Sequence, residues 1–458
     1  MKNLILNTDS YKVSHYLQYP EKTQYVSSYI ESRGGLFRET LFFGLQMFLQ
    51  EFLTQPITQD DIDEAAHIYN LHQVPFNREG WEYILEKHNG YLPVEIEAIP
   101  EGTVIPTKNA LVQIRNTDPN CAWVTCFIET ALLRAIWYPT TVATLSWNCK
   151  QLIKKYMLET AGHTNGLEFK LHDFGARGAS SLETAGIGGL AHLVNFYGTD
   201  TVASLVMGRK HYKEAIAGFS IPASEHSTMT SWGRNREKDA YENMVNQFGG
   251  QGKMFAVVSD SYDIWNAIEN IWGKELKKKV ITNGGTLVVR PDSGDPVQIV
   301  SDVIERLMKK FGYSENDKGY KVLPEYIRVI QGDGVSLNTI EDILIEMKNR
   351  NLSAENIAFG MGGELLQKVN RDTQKFAMKA SAACIDGNWI DVYKDPVTDQ
   401  GKRSKKGVLG VSSKGRRFST VKLAELTETN LLQPVFKNGK LLKEINFNTV
   451  RKNANAIL

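Results

Sequence analysis

The segment Thr286–Pro296, TLVVRPDSGDP, joins an apolar run to a turn of charged and small residues. The run at 287–289 is typical of a strand that is buried on both faces of a parallel sheet. It stops at Arg290, and Asp295 and Pro296 have the residue types of a helix N-cap and a first helical residue. The segment therefore predicts an arginine and a carboxylate beside a helix start, which suits an anion with a metal ion next to it. A turn in which the two charges only pair is the alternative.

The same order of apolar strand and polar or glycine-rich turn recurs along the chain. Successive strand ends lie roughly 30–40 residues apart, the spacing of a β/α barrel of eight units, whose active site lies at the carboxyl ends of the strands. A doubly wound open sheet also fits and would bind ligands at the same ends. We prefer an irregular barrel. The turns that follow the other strand candidates are His172–Gly178, Glu225–His226, Ser259–Asp263, Gln331–Gly334 and Gly360–Gly363.

Composition narrows the class of protein. A chain of 458 residues is long enough for two domains. The formal net charge of +1 gives no overall field for nucleic acid or an anionic membrane, so any anion site is local. The most apolar segment, 122–137, reads as a buried amphipathic helix that is too short to span a bilayer. The short apolar start and four cysteines without disulfide or zinc spacing predict a cytoplasmic protein with reduced thiols.

The predicted turns carry residue types that bind phosphate. Arg177 and Arg290 offer planar forks for phosphate or diphosphate. The glycine turns allow backbone N–H groups to approach a phosphate, although the Rossmann and Walker patterns are absent. His226 is either a proton shuttle, a phosphate acceptor or a structural histidine. Together these residues favour a phosphorylated sugar or nucleotide as the ligand. The carboxylates that could hold Mg²⁺ through water are Asp260, Asp263, Asp292 and Asp333.

Nine segments in chain order closely resemble the nicotinamide phosphoribosyltransferase family. They are Thr8–Lys12, His172–Gly178, Glu183–Gly189, Gly198–Thr201, Ser224–Ser227, Val257–Asp263, Arg290–Gly294, Gln331–Gly334 and Lys394–Val397. The resemblance implies the type II phosphoribosyltransferase fold, an irregular α/β barrel with a second α+β domain formed from the N- and C-terminal segments. We accordingly expect residues 151–375 to form the barrel, and residues 1–150 and 376–458 to form the second domain.

The resemblance also implies the reaction. Nicotinamide and phosphoribosyl pyrophosphate would give nicotinamide mononucleotide and diphosphate in NAD salvage, with Mg²⁺, in a homodimer whose two active sites lie at the interface. ATP would stimulate the reaction through a phosphohistidine. The pyridine ring would stack between Phe174 and Tyr11 of the partner chain. Asp200 would accept a hydrogen bond from the carboxamide and repel nicotinate, since like charges about 4 Å apart cost about 4 kcal/mol at an effective dielectric of about 20, roughly a thousandfold.

The resemblance assigns the remaining roles residue by residue. His226 would accept the phosphoryl group, with Asp263 orienting it. Arg177 and Arg290 would bind diphosphate, and Asp292 would face the ribose and the diphosphate. Mg²⁺ would be held mostly through diphosphate and water, with Asp292 and Asp263 as candidate ligands. The ribose and its 5′-phosphate would be held by Gly332, Asp333, Gly362, Gly363 and Arg371. Further basic residues that would reach phosphates, some across the dimer interface, are Arg33, Lys379, Lys394 and Lys402.

Two alternatives stay open at this point. A nicotinate phosphoribosyltransferase would share the fold and reaction class, and Asp200 argues against it. A non-catalytic binding or signalling homologue would keep the fold without turnover. The joint presence of four residues argues against that second alternative, because a pure binder needs no phosphate-accepting histidine. These residues are His226, Asp200, Arg290 and Asp292.

Overall fold

The computed structural model describes residues 3–398, 403–415 and 417–456. The chain divides into two compact units. We call Met1–Thr144, Gly208–Glu214 and Val369–Leu458 the sheet unit, and Leu145–Met207 and Ala215–Lys368 the barrel unit. The boundaries expected from the sequence lay after residues 150 and 375, and the assignment of 208–214 to the sheet unit was not expected. In the part of the chain that the structure describes, every helix is too short or too polar to cross a membrane.

The sheet unit is built around a seven-stranded sheet. Its strand Thr23–Ser32 pairs antiparallel with Phe376–Ile385 on one side and with Ala110–Asn116 on the other. The N- and C-terminal segments therefore form one domain, as the resemblance implied. Apolar and polar residues alternate along residues 91–115, which predicts a half-buried antiparallel hairpin. The structure confirms it, because Val94–Ala98 pairs antiparallel with Ala110–Asn116. The strand order is Asn388–Asp391, Phe376–Ile385, Thr23–Ser32, Ala110–Asn116, Val94–Ala98, Gln433–Lys437 and Lys440–Leu441.

Smaller elements complete the sheet unit. Two hairpins pair Glu39–Leu41 with Val104–Pro106, and Leu409–Lys414 with Arg417–Lys422. The apolar segment near residue 122 is helical, as predicted, and Pro139 lies inside the long helix that follows it. The α-helices that lie in this unit, or begin or end in it, are Leu45–Phe48, Gln59–Leu71, Arg78–His88, Val124–Phe127, Glu129–Thr160, Val202–Tyr212 and Phe447–Asn455.

The barrel unit contains six parallel strands whose two outer strands are joined through one further segment. Phe219 forms a parallel bridge with Gly198 in one outer strand, and Ala223 forms one with Ala256 in the other. This arrangement confirms the irregular barrel. The strand order is Gly198–Thr199, Leu171–Asp173, Ile357–Met361, Ile327–Gln331, Thr286–Arg290 and Met254–Val258.

The barrel departs from the regular eight-unit pattern at two places. Leu167–Phe169, expected as a strand, is a 3-10 turn, and the strand begins at Leu171. The segment from Phe219 makes only isolated bridges, because Pro222 has no N–H with which to continue a ladder. The short outer strand Gly198–Thr199 is one that the apolar pattern did not reveal.

The segment that predicted the fold is confirmed in detail. Residues 287–289 are buried, and their strand lies between two parallel neighbours. Asp295 Oδ1 accepts the N–H groups of Val297 and Gln298 at 2.9 and 3.2 Å, so it caps the helix Pro296–Phe311. The other α-helices that lie entirely in this unit are Leu182–Leu193, His226–Thr230, Glu237–Phe248, Ile264–Asn266, Lys277–Thr282, Leu337–Asn349 and Gly363–Leu366.

Candidate active site at the barrel rim

The carboxyl ends of the six strands form one rim. The pairing registers place Val258 beside Arg290, Met361 beside Asp173 and Asp173 beside Thr199, so the strands end at nearly the same level. Because parallel strands share their carboxyl edge, the residues that follow them gather there. The rim residues that follow or end the strands are Phe174, Asp200, Asp260, Arg290, Asp292, Gly332 and Gly362.

His226 faces two carboxylates from neighbouring strand ends. Its Nε2 lies 3.4 Å from Asp292 Oδ2 and 3.6 Å from Asp260 Oδ1, and its Nδ1 lies 3.2 Å from Ser261 Oγ. The imidazole is 46% exposed, so one side of the ring is open to solvent. A histidine with two carboxylates at its Nε2 and an open face can exchange a proton or accept an electrophile.

Asp263 does not make the contact expected of it. Its Oδ1 accepts the N–H groups of Trp265 and Asn266, at 2.9 and 3.1 Å, and caps the short helix that begins at Ile264. The carboxylates that face His226 are those of Asp260 and Asp292. The sequence could not separate Asp260 from Asp263, because both lie in the same turn and only the backbone direction decides which one faces the histidine.

Arg290 and Asp292 form a charged pair, and the pair is linked to Asp260. Arg290 donates to Asp292 Oδ1 through Nη2 at 2.6 Å and through Nε at 3.2 Å. The main-chain N–H of Asp292 and the hydroxyl of Ser293 both donate to Asp260 Oδ2, at 2.9 and 2.5 Å. The Arg290–Asp292 pair, which was the alternative prediction for this turn, is therefore present. It lies within a rim cluster that also contains His226.

The acidic part of this cluster suits a divalent cation. Asp260 is 4% exposed, and its Oδ1 is buried without a hydrogen-bond partner among the described residues. A buried carboxylate oxygen without a donor is unfavourable unless a cation or water approaches it. Asp292, 20% exposed, lies on the same side of His226. The oxygen donors of Asp260 and Asp292 therefore fit Mg²⁺ better than those of the helix cap Asp263.

Two glycines make room for the ring of Phe174. A Cβ on Gly360 would lie 2.0 Å from Phe174 Cε2, and one on Gly332 would lie 3.4 Å from the same atom. The ring also packs against an apolar cluster formed by Ala256, Val288 and Ile330. Gly360 was expected to bring backbone N–H groups to a phosphate. The structure instead shows that its missing side chain sets the position of an aromatic ring at the rim.

Asp200 lies on the strand end next to Phe174 and is exposed. Its N–H donates to the Asp173 carbonyl at 2.9 Å, and its Oδ1 accepts the Ser220 hydroxyl at 2.6 Å. Burial raises the pKa of Asp173 to about 6, opposed by hydrogen bonds from Gly175 and the neighbouring threonines and reinforced by the charge of Asp200. Burial also lowers the pKa of His172, although Asp200 opposes this shift. At this part of the rim, the exposed carboxylate of Asp200 therefore lies near two buried groups, Asp173 and His172, whose charged forms are disfavoured by burial.

The other expected residues of the barrel unit lie on exposed turns. Arg177 lies in the 3-10 turn Ala176–Gly178 and is exposed, as is Asp333. Gln331 Nε2 donates to the Asp333 carbonyl at 2.7 Å, which fixes the turn that contains Gly332. A Cβ on Gly363 would meet no atom within 4 Å, so its backbone is open to a ligand.

The basic residues expected at phosphates lie in the sheet unit. Burial lowers the pKa of Lys379, and the charges of Arg33, Lys12 and Lys394 lower it further, although Glu129 raises it. The charges of two expected cations, Arg33 and Lys394, therefore both act on a third, Lys379. Arg33 Nε contacts Glu31 at 3.2 Å.

The last expected residues of this unit lie on its surface. Arg371 contacts Asp372 at 2.8 Å, and Tyr11 is 60% exposed. Lys402, the fourth cation expected at phosphates, lies outside the described residues.

The fold and the rim define a class of protein, the phosphoribosyltransferases of the nicotinate type. Two solved structures have the same fold, each at 16% identity. Nicotinate-nucleotide pyrophosphorylase from Pyrococcus furiosus has a TM-score of 0.64, and the superposed region covers 99% of this chain and 95% of that protein's chain. Human nicotinic acid phosphoribosyltransferase has a TM-score of 0.56, and the superposed region covers 98% of this chain and 93% of the human chain. Residues 169–440 match the model of the nicotinate phosphoribosyltransferase (NAPRTase) family.

Sequence comparisons narrow the class further. Residues 3–96 match the model of the nicotinamide phosphoribosyltransferase N-terminal domain. A relative from Xanthomonas campestris named nicotinamide phosphoribosyltransferase is 51% identical over 100% of this chain and 99% of its own. Relatives of the same name from Acinetobacter baylyi and Mycoplasma genitalium are 31% and 33% identical over 97% and 92% of this chain, and 95% and 96% of their own. The chain belongs to the nicotinamide phosphoribosyltransferase family.

The sequence predicted a smaller role for three rim residues than the structure shows. Asp260 was only one of four carboxylates for Mg²⁺, Gly360 was only a phosphate-approach glycine, and Ser220 was not considered. The signal for Asp260 was its place in the turn Ser259–Asp263. Ser220 follows Phe219, which bridges Gly198 on the strand that leads to Asp200, and the sequence gives no sign of the contact between Ser220 and Asp200.

Proposed function

We propose that this chain transfers the 5-phosphoribosyl group from phosphoribosyl pyrophosphate to nicotinamide, giving nicotinamide mononucleotide and diphosphate for NAD salvage in the cytoplasm. The observation that carries the proposal is the 51% identity, over the whole chain, to a relative named nicotinamide phosphoribosyltransferase. The rim supports it, because an exposed carboxylate, an aromatic ring and two arginines lie at or just after the carboxyl ends of strands of one parallel sheet.

The pyridine ring would stack on Phe174, whose position the glycines at 332 and 360 allow. Asp200 would accept the carboxamide N–H, with its other hydrogen bond to Ser220 holding the carboxylate in place. Nicotinate would bring a second negative charge to the same point. At about 4 Å and an effective dielectric of about 20, the repulsion of about 4 kcal/mol favours the amide roughly a thousandfold.

The chemical step breaks the bond between the anomeric carbon and a diphosphate oxygen, and the electron pair leaves with diphosphate. The ring nitrogen of nicotinamide then donates its lone pair to the anomeric carbon. The nitrogen carries no proton, so no general base is needed. Arg177 and Arg290 would stabilise the negative charge that develops on the leaving group. Positioning of the two reactants supplies much of the rate.

Mg²⁺ would be held by Asp260 and Asp292, directly or through water, together with the diphosphate. When bound, it neutralises charge on the leaving group. Asp292, held by Arg290, would at the same time face the ribose. The turns at 332–333 and 362–363 would hold the ribose and its 5′-phosphate.

His226 would accept a phosphoryl group from ATP. The bond from the γ-phosphorus to its bridging oxygen breaks, ADP leaves with the electron pair, and an imidazole nitrogen forms the new bond to phosphorus. Asp260 and Asp292 would orient the ring through Nε2, and Ser261 through Nδ1. A phosphohistidine beside the diphosphate subsite would order the rim and couple ATP hydrolysis to product formation.

We further propose that the active unit is a homodimer. Tyr11 is 60% exposed in the sheet unit, and the charges of Arg33 and Lys394 both act on Lys379 there. Such residues are suited to an aromatic contact and to phosphates supplied by a second copy of the chain. Chain mixing would test this, because an inactive Tyr11→Ala chain and an inactive Asp292→Asn chain should restore activity together if each site uses both chains. No recovery in mixed samples would contradict shared sites.

The decisive experiment offers nicotinamide and nicotinate side by side with phosphoribosyl pyrophosphate and Mg²⁺. We expect product from nicotinamide, and we expect Asp200→Asn to lose most of the discrimination, up to roughly a thousandfold. Asp239→Asn is the matched control, since Asp239 is 46% exposed in the helix Glu237–Phe248 and pairs with Arg236, which precedes that helix. Product from nicotinate alone would establish the nicotinate enzyme, the class described by the family model that matches residues 169–440. Ligand binding without any product would establish a non-catalytic homologue.

The role of ATP is tested separately. We expect ATP to raise the rate with the natural chain and to leave the rate of His226→Ala unchanged. His163→Ala is the control, because His163 is 40% exposed and contacts Glu355 rather than the rim. An equal response to ATP in natural chain and His226→Ala would remove the phosphohistidine from the mechanism.

A further inference from the structure

A histidine, an aspartate and a cysteine meet in the sheet unit, outside the residues assigned to the reaction. One potential ligand atom each from His88, Asp118 and Cys121 lies within 4.8 Å of the other two. His88 is the last residue of the helix Arg78–His88, and Asp118 and Cys121 belong to the turn that follows the strand Ala110–Asn116. The sequence alone gave no zinc spacing, because His88 is 30 residues from Asp118 along the chain.

The carboxylate is already oriented for a ligand role. Asp118 Oδ1 accepts the N–H of Asn120 at 2.8 Å, which fixes the side chain at the start of its turn. Its Oδ2 lies 2.8 Å from His88 Nε2 and accepts the Tyr83 hydroxyl at 3.1 Å. Hydrogen bonds that hold a ligating carboxylate in this way are typical of the outer shell of metal sites.

One of the three side chains is buried and two are partly exposed, as expected for a metal site at the edge of the core. Cys121 is fully buried in the apolar core, whereas the side chains of His88 and Asp118 are 21% and 14% exposed. A metal ion could therefore reach the sulfur from the side of the histidine and aspartate. Solvent on that side would supply water as a fourth ligand.

We propose that His88, Asp118 and Cys121 bind a divalent transition-metal ion of the Zn²⁺ class. One nitrogen, one oxygen and one sulfur donor suit the borderline-soft ions Zn²⁺ and Co²⁺, and they disfavour Mg²⁺ and Ca²⁺, which prefer oxygen. Tetrahedral zinc ligands lie about 3.3–3.8 Å apart, so small side-chain rotations would complete the site. The bound ion would tie the end of one helix to the exit of a core strand, which is a structural role.

Cobalt titration of the full chain, stripped of metal with a chelator, tests the proposal. We expect one equivalent of Co²⁺ to bind and to give tetrahedral visible bands together with a sulfur-to-cobalt charge-transfer band. Zn²⁺ should displace the cobalt and raise the Tm. In Cys121→Ser the charge-transfer band should disappear, and affinity should fall by at least about tenfold in both Cys121→Ser and His88→Gln.

Matched controls are available in the same chain. Cys149→Ser removes another buried cysteine, and His163→Gln removes an exposed histidine of the barrel unit; both should leave the cobalt spectrum unchanged. Circular dichroism shows whether each variant folds, and His88→Gln keeps the test valid if Cys121→Ser does not. Absence of cobalt binding, or a charge-transfer band that survives in Cys121→Ser, would overturn the site. The three residues would then be only a hydrogen-bonded structural group.

Discussion

The rim of the barrel unit and the interior of the sheet unit hold their charged residues in different ways. At the rim, Arg290, Asp260 and Asp292 come from neighbouring parallel strand ends and lie around the half-exposed His226. In the sheet unit, the buried Lys12 lies in the 3-10 helix Ser10–Leu17 and pairs at 2.6 Å with Glu129, the first residue of the helix Glu129–Thr160. The common edge of a parallel sheet gathers charged groups near solvent, whereas a charge buried between two helical segments needs a partner of its own.

The largest expected effect concerns that buried pair. Lys12 is 3% exposed and Glu129 is 23% exposed, so Lys12→Ala leaves a mostly buried carboxylate without its partner. We expect a loss of about 3 kcal/mol in the free energy of unfolding, at the lower end for broken buried pairs because Glu129 retains some solvent. Chemical denaturation measures the change.

Lys22→Ala is the matched control for Lys12→Ala. Lys22 pairs with Asp386 at 3.2 Å, and both side chains are 68% exposed. Its loss should change the free energy of unfolding by less than about 1 kcal/mol. Equal effects of the two substitutions would mean that burial does not distinguish the Lys12–Glu129 pair from the exposed Lys22–Asp386 pair.

The next effect concerns the ring at the rim. A Cβ on Gly360 would lie 2.0 and 2.2 Å from two atoms of Phe174, so Gly360→Ala must displace the ring. We expect the free energy of unfolding to fall by about 2–3 kcal/mol, as for other overpacked sites. We also expect the KM for nicotinamide to rise more than kcat falls, because the displaced ring mainly serves to bind the pyridine.

Gly363→Ala provides the stability control for that substitution. Its Cβ would meet no atom within 4 Å. We expect a change of less than about 0.5 kcal/mol in the free energy of unfolding, as for an open surface position. Unchanged stability and nicotinamide affinity in Gly360→Ala would show that Phe174 can move freely, and that the glycine does not set its position.

The smallest effect is a pH dependence. The pKa of Asp173 is raised from 3.8 to about 6, chiefly by burial, so the folded state binds the proton more tightly than the unfolded state. This contribution is therefore most favourable at low pH and is lost as pH rises from about 4 to about 6. As the pH rises from about 4.5 to about 6.5, the loss of this contribution should lower the free energy of unfolding by about 2 kcal/mol.

The comparison of Asp173→Asn with the natural chain isolates this contribution. The asparagine oxygen can still accept the Gly175 N–H, which donates at 2.7 Å to Asp173, but the side chain no longer titrates. The difference in unfolding free energy between the two proteins should change by about 2 kcal/mol across that pH interval. A constant difference would show that Asp173 titrates near its ordinary value in the folded state.

The sequence was most informative where a structural signal is local. The apolar run at 287–289, the cap Asp295 and the first helical residue Pro296 were all read correctly, because each depends on a few neighbouring residues. It failed at the strand Gly198–Thr199, where two residues are too short for a hydrophobic pattern, and at the proline-interrupted segment after Phe219.

The sequence by itself determined the family, the parallel barrel and the residue types at its rim, since these follow from motifs and from local periodicity. Only the tertiary structure decided that Asp260 rather than Asp263 faces His226, and that Gly360 makes room for Phe174. It also decided that His88 meets Asp118 and Cys121. The physical reason is that such contacts depend on backbone direction and on distances of a few ångströms between segments far apart along the chain, and residue spacing does not contain that information.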